Sequence, residues 1–161
     1  MTKKIFIISV ITLVLDQFFK LLIDFFLNVN EGIIIIDNFF KIYYIHNYGA
    51  AWGIMQNQTI LLILISILAL GLVYRYMNTF KDNVRNMIAF GLIYGGITGN
   101  LLDRLFLGHV RDFISFRIFN YNFPVFNIGD MAIFFGVVLL ILAIIKGEDN
   151  ENRSPRKSKK N

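Results

Sequence analysis

Apolar residues fall in four long runs along this chain, at 5–27, 60–77, 87–106 and 131–145, separated by stretches rich in Asn, Asp and aromatics. A bilayer core is spanned by roughly 20 helical residues, with ~17 as the lower limit. The first run has 23 residues and is long enough. The fourth is short but nearly unbroken, which leaves room for a helix start a few residues earlier. Thr2-Lys3-Lys4 ahead of an apolar run has the outline of a cleavable signal peptide. No small-x-small cleavage site follows and the apolar pattern resumes after Asp16, so the run is read as a retained helix. The pattern predicts an α-helical membrane protein with four transmembrane helices.

Composition agrees. The chain has 161 residues, 56% of them hydrophobic and 17% charged, against ~45–50% and ~25% in soluble domains. A soluble domain of this size has no room to bury that much Ile, Leu and Phe, so lipid is the expected solvent. The length allows one domain, taken as 1–146, with a basic tail at 147–161 expected to be disordered. The absence of Cys excludes disulfides, thiolate metal sites and a cysteine nucleophile. Two His and no HExxH offer no metal motif, and no cofactor is expected.

The net charge of +5 does not point to nucleic acid, because six of the 16 basic residues lie in the last 16 positions. With four crossings, 11 basic residues fall on one side: Lys3, Lys4, Arg75, Lys81, Arg85, Lys146, Arg153, Arg156, Lys157, Lys159 and Lys160. The other side holds Lys41, Arg111 and Arg117, while Lys20 and Arg104 lie inside runs. The excess of Lys and Arg marks the cytoplasmic side. Both termini are therefore expected in the cytoplasm, with 28–56 and 107–129 outside.

Segment 28–56 contains β-formers at 33–36 and 39–45, separated by the turn residues Asp37-Asn38. This predicts a small sheet at the outer membrane surface, with Phe39, Phe40, Tyr43, Tyr44 and Trp52 as interfacial aromatics. The plainer alternative is a surface loop with an aromatic belt.

Polar residues inside the runs carry the functional signal. Asp16, Lys20 and Asp24 recur every four residues and share one helix face, where Asp16 and Lys20 can pair. Three ionised groups cost roughly 8–10 kcal/mol on insertion, while 17 large apolar residues return roughly 5–10 kcal/mol. Such a stripe should face protein or water rather than lipid. A structural ion pair between helices is the simpler reading of Asp16 and Lys20, and Asp24 reads as interfacial. The third run places Gly91, Gly95 and Gly99 four apart, a spacing that lets another helix approach closely. Asn100, Asp103 and Arg104 then share a face near its outer end, where snorkelling would account for Arg104.

Asp112 and Asp130 stand 18 residues apart, with Pro124 and polar residues 120–122 between them. One continuous helix is therefore excluded, and the two acids should arrive from different elements. Asp130 opens the fourth run, where unpaired helix N–H groups favour an anion, and Asn127 is placed to cap that helix. Capping alone would explain Asp130, but five polar clusters converge on one membrane depth. Two close carboxyl groups can share a proton, one activating water and the other polarising a carbonyl or protonating a leaving amine. A serine mechanism lacks support, since neither His46 nor His109 has a Ser partner in a run. A proton-coupled transporter also uses buried acids, although no paired repeat is visible. A non-enzymatic assembly factor using the Gly face leaves the outer acids unexplained.

Asp16-Gln17-x-x-Lys20, Asn47-x-Gly49-Ala50-Ala51-Trp52-Gly53, Gly99-Asn100-x-x-Asp103-Arg104, Val110-x-Asp112-Phe113-Ile114 and Phe126-Asn127-x-Gly129-Asp130 resemble the lipoprotein signal peptidase (signal peptidase II) family. The resemblance covers roughly residues 5–145. Each motif is weak alone, but five in order on this topology are highly specific. The resemblance implies four transmembrane helices with an extracytoplasmic β-cradle, here 28–56. It implies a bacterial intramembrane aspartic endopeptidase of the cytoplasmic membrane. Such an enzyme cuts prolipoproteins just before the lipobox cysteine, once that cysteine carries diacylglyceryl. Asp112 and Asp130 match the catalytic pair. Asp16, Lys20, Asn47, Gly49, Asn100, Asp103, Arg104 and Asn127 match residues that support the site or bind substrate. The implied partners are diacylglyceryl prolipoproteins, membrane lipids and the cyclic peptide inhibitor globomycin, with the chain acting as a monomer. Three positions depart from the family. Ala often stands at Gly129, an apolar residue usually at Arg111, and Arg or another polar residue often at His46.

Overall fold

The structure is a computed structural model that describes residues 2–50 and 54–149. The motif residues Ala51, Trp52 and Gly53, and tail residues 150–161, lie outside the described residues. Four helices account for the four apolar runs: α1 (Thr2–Phe26), α2 (Thr59–Tyr76), α3 (Val84–Leu107) and α4 (Ile128–Ile145). α4 begins three residues before the apolar run, because Asn127 caps it. The Asn127 side chain accepts from the Asp130 N–H at 2.9 Å, and the Asp130 carboxylate accepts from the Asn127 N–H at 3.2 Å. This reciprocal box satisfies two helix-end donors.

Segment 28–56 forms the predicted hairpin, β1 (Gly32–Ile36) and β2 (Phe40–Asn47), rather than a plain loop. The sheet is larger than expected. β3 (Val110–Ile118) pairs antiparallel with β2, and β4 (Tyr121–Asn122) pairs with β3, giving the order β1-β2-β3-β4. The strand period in Val110–Ile118 was hidden because the run is buried on both sides over its first six residues, so apolar and polar positions do not alternate. After the turn, Phe126 exchanges hydrogen bonds with Ile114, at 3.0 Å and 2.8 Å. That bridge brings the start of α4 alongside the middle of β3.

The interior is inverted relative to a soluble protein. The largest fully buried side chains are Lys20, Phe90, Asn86, Asn127, Asp16, Asp103 and Asp112, while Phe6, Ile11, Phe18, Leu21, Ile60, Leu68 and Phe134 are exposed. Burying charge while exposing this much Leu, Ile and Phe is favourable only when lipid surrounds the helices. Among the described residues, Thr2–Phe26, Thr59–Thr79 and Ile128–Ile145 are long and apolar enough to cross a membrane. α3 is long but more polar, and half of its 24 residues are buried, against one of 18 in α2. α3 is thus the post against which the other helices pack.

Glycine makes that packing close. A Cβ on Gly91, Gly95 or Gly99 would strike Ile8, Thr12 or Asp16, which repeat every four residues along α1. The predicted Gly stripe therefore faces α1. Gly96, one residue round the helix, instead meets the backbone of Gly129, and Gly136 of α4 meets Ile93 and Ala89. Small residues on both faces let α3 lie against α1 and α4 at once.

Candidate active site

Asp112 sits in the buried half of β3, its side chain held by two amides. Asn47 Nδ2 on β2 donates to Oδ2 at 2.8 Å, and Asn127 Nδ2 donates to Oδ1 at 2.6 Å. Asp130, in the first turn of α4, accepts from Asn100 Nδ2 on α3 at 2.7 Å. The two carboxyl groups are linked through these amides, since Asn127 Nδ2 also donates to Asn100 Oδ1 at 3.1 Å. Asp112 is 1% exposed, whereas Asp130 is half-buried and so more open to an incoming molecule. Burial, and then the neighbouring Asp130 carboxylate, push the Asp112 carboxyl up to about 7. The amide donors act the other way but do not cancel this.

A charged layer lies behind the pair. Lys20 Nζ is fully buried. It lies 2.8 Å from Asp16 Oδ2 and 3.3 Å from Asp103 Oδ2, and donates to Asn100 Oδ1 at 2.8 Å. The other oxygen of Asp16 accepts from the Gly129 N–H at 2.7 Å, an α1–α4 contact between residues 113 positions apart. Arg104 donates to the Gly49 carbonyl at 3.1 Å, while the Gly49 N–H donates to Asn47 Oδ1 at 2.9 Å. Arg104 is therefore tied to the β2 end rather than snorkelling freely. All ten residues singled out from the sequence fall in one contiguous cluster.

Two readings change. Asp24 is more than interfacial: its Oδ2 is 2.7 Å from Arg111 Nη1, and Oδ1 accepts from the Tyr44 hydroxyl. Arg111, treated as a departure, is 5% exposed and bound to Asp103, Asp24 and Gln17. Burial opposes its charge, but the Asp103 and Asp24 carboxylates outweigh that and hold the guanidinium above its ordinary range. Sequence reasoning missed Arg111, Gln17 and Tyr44 as members of this network. The available signal was a charge at Arg111 between Val110 and Asp112, just ahead of the apolar Phe113 and Ile114. His46 stacks on His109 with ring centroids 3.6 Å apart, and burial followed by the His46 charge pushes His109 down.

The family described as Signal peptidase (SPase) II matches residues 8–146. Lipoprotein signal peptidases from Staphylococcus aureus strains bovine RF122 / ET3-1 and JH9 are each 36% identical over 157 residues, covering 94% of this chain and 96% of theirs. A bacterial membrane enzyme solved by the in meso method at 2.3 Å superimposes with a TM-score of 0.80 at 32% identity, covering 100% of this chain and 95% of that one. A second, solved at 1.9 Å, gives 0.78 at 34% identity, covering 91% and 94%.

Proposed function

The chain belongs to the signal peptidase II family, and we propose from that premise that Asp112 and Asp130 are the catalytic pair of an intramembrane aspartic endopeptidase. Its substrates are prolipoproteins whose lipobox cysteine carries diacylglyceryl, and the cut falls just before that cysteine. One observation carries the assignment: two carboxyl groups from β3 and α4, joined through Asn100 and Asn127, sit inside a helix bundle whose outer surface is apolar.

The pair shares one proton. The ionised carboxylate takes a proton from a water as that water attacks the scissile carbonyl. The protonated acid donates to the carbonyl oxygen. As the tetrahedral intermediate collapses, the acid that took the water proton passes it to the leaving amine, while the other carboxylate takes a proton back from the intermediate's hydroxyl, which restores the pair. The amides of Asn47, Asn100 and Asn127 hold the carboxyl oxygens in place through the cycle, so no reorganisation is needed at the moment of attack. Asp16, Lys20 and Asp103 fix Asn100 from behind, and Arg104 with Gly49 closes the β2 side. Capping of α4 and catalysis by Asp130 are compatible, because Oδ2 serves the cap while Oδ1 faces Asn100.

The chain works as a monomer, a single peptidase domain over 1–146 with a basic tail at 147–161. All four helices cross a bacterial cytoplasmic membrane, with both termini in the cytoplasm. The 24 residues of α3 reach about 36 Å at ~1.5 Å per residue. Its polar end turns into protein, not lipid, and so does not forbid crossing. The β1–β2 hairpin is an extracytoplasmic cradle over the acids, and globomycin inhibits by occupying the same site.

The test is purified protein incubated with a diacylated prolipoprotein and a non-lipidated control. Cleavage of the diacylated form alone is expected. Asp112→Asn and Asp130→Asn should each lower cleavage by at least ~10²–10⁴-fold, and the double variant should be little worse than either. An inserted Asp130→Asn that cleaves at the wild-type rate reduces Asp130 to a helix cap.

A further inference from the structure

Arg111 is a buried charge that the hydrolytic chemistry does not use. Side chains alternate across a strand, so Arg111 points to the opposite side of β3 from Asp112, where it meets two helices. Nη1 pairs with Asp24 on α1 at 2.7 Å, and Nη2 donates to Gln17 on α1 at 2.8 Å and to Asp103 on α3 at 2.8 Å. Nε and the backbone N–H both donate to the second Asp103 oxygen, at 3.2 Å and 3.1 Å. The planar, five-donor guanidinium fits such a fork, and an ammonium does not.

Asp103 is shared. Lys20 Nζ lies 3.3 Å from it, farther than the 2.8 Å to Asp16 and to Asn100. With Asp103 satisfied by Arg111, Lys20 stays committed to the side that faces the acids. Its positive charge there favours the ionised form of Asp112. We infer that Arg111 is a positioning residue that clamps β3 between α1 and α3, setting Asp112 against Asn47 and Asn127, and that holds Lys20 towards the acid pair by occupying Asp103. The inference rests on the peptidase reading.

The experiment compares full-length wild type, Arg111→Met, Arg111→Lys and Asp24→Asn, cleaving a diacylated prolipoprotein across a pH series. Wild-type cleavage tests the peptidase reading itself, and its failure is seen before any variant is considered. In Arg111→Met, kcat should fall on the order of 10²-fold, the loss expected when a reacting group is misplaced by about 1 Å, while KM stays unchanged. The acid limb should also move to higher pH, because Lys20 drawn to Asp103 no longer favours ionised Asp112. Arg111→Lys keeps the charge on Asp103 and should restore the acid limb but only part of kcat. Asp24→Asn loosens the clamp while leaving Asp103 paired, so kcat should fall with no shift of the limb. If Arg111→Met fails to insert, the other two variants decide. Wild-type kcat in Asp24→Asn, or wild-type kcat and acid limb in an inserted Arg111 variant, overturns the inference. So does a loss confined to KM.

Discussion

Lys20→Met removes a fully buried ammonium that touches Asp16, Asn100 and Asp103. Methionine nearly preserves the volume, so the change reports charge rather than a cavity. At 2.8 Å and an effective dielectric near 20, the Asp16 attraction alone is about 6 kcal/mol before desolvation. Desolvation of both ions offsets much of it, but removing one partner leaves the other charge buried, which typically costs ~3–5 kcal/mol. Asp16 keeps the Gly129 N–H and Gln17 amide, and Asp103 keeps Arg111, so partial compensation is built in. A loss of ~3–5 kcal/mol corresponds to roughly 6–20 °C in thermal midpoint for a chain of this size. Asp16→Asn combined with Lys20→Met should cost less than the sum of the single changes, with a coupling of ~0.5–3 kcal/mol. Thermal unfolding in detergent and prolipoprotein cleavage, measured on the same preparations, give both cycles. Single losses that add within ~0.5 kcal/mol, in stability and in activity, would show that the pair does not act as a unit and would refute the reasoning.

Three further outcomes follow from particular contacts. Gly99→Ala pushes a Cβ into the Asp16 carboxyl and should destabilise by ~1–3 kcal/mol and lower activity. Gly71→Ala in α2 meets nothing within 4 Å and should be neutral or stabilising by up to ~1 kcal/mol; equal melting shifts would remove the packing argument. Asp112 has its carboxyl raised in the folded state, so its contribution to stability is present below the ordinary carboxylate value and lost as pH rises through about 7. Thermal midpoints of wild type should therefore decline relative to Asp112→Asn between pH ~4 and ~7 and run level with it above that, and curves that stay parallel across this window would contradict the shift. Because the chain has no Cys, a single cysteine is a clean label: at Asn38 it should react with an impermeant thiol reagent from outside the cell, and at Thr79 it should not. The reverse pattern would turn the proposed topology over.

The helices, the cap and the candidate acids were legible from residue order because each depends on neighbours within a turn or two. Apolar runs mark the helices through length alone, and Asn127 with Asp130 forms a capping box through a spacing of three. Pro124 separates the two acids locally, so their arrival from different elements followed without any knowledge of packing. The four-residue spacing of Asp16 and Lys20 likewise placed the ion pair before its surroundings were known.

What remained hidden was every choice of partner between distant elements. Gly91, Gly95 and Gly99 promised a close helix crossing, but only packing assigned that face to α1 and Gly96 to α4. Residues Val110–Ile118 lacked strand alternation because both faces of their first half are covered, a condition created by the helices themselves. Arg111 looked like an exception until the fold brought Gln17, Asp24 and Asp103 around it from 94, 87 and 8 positions away. Buried charges must find partners wherever the chain can supply them, and in this molecule the partners lie on other elements. Residue order determined which polar groups enter the membrane; tertiary packing decided which of them pair with one another and which face the site.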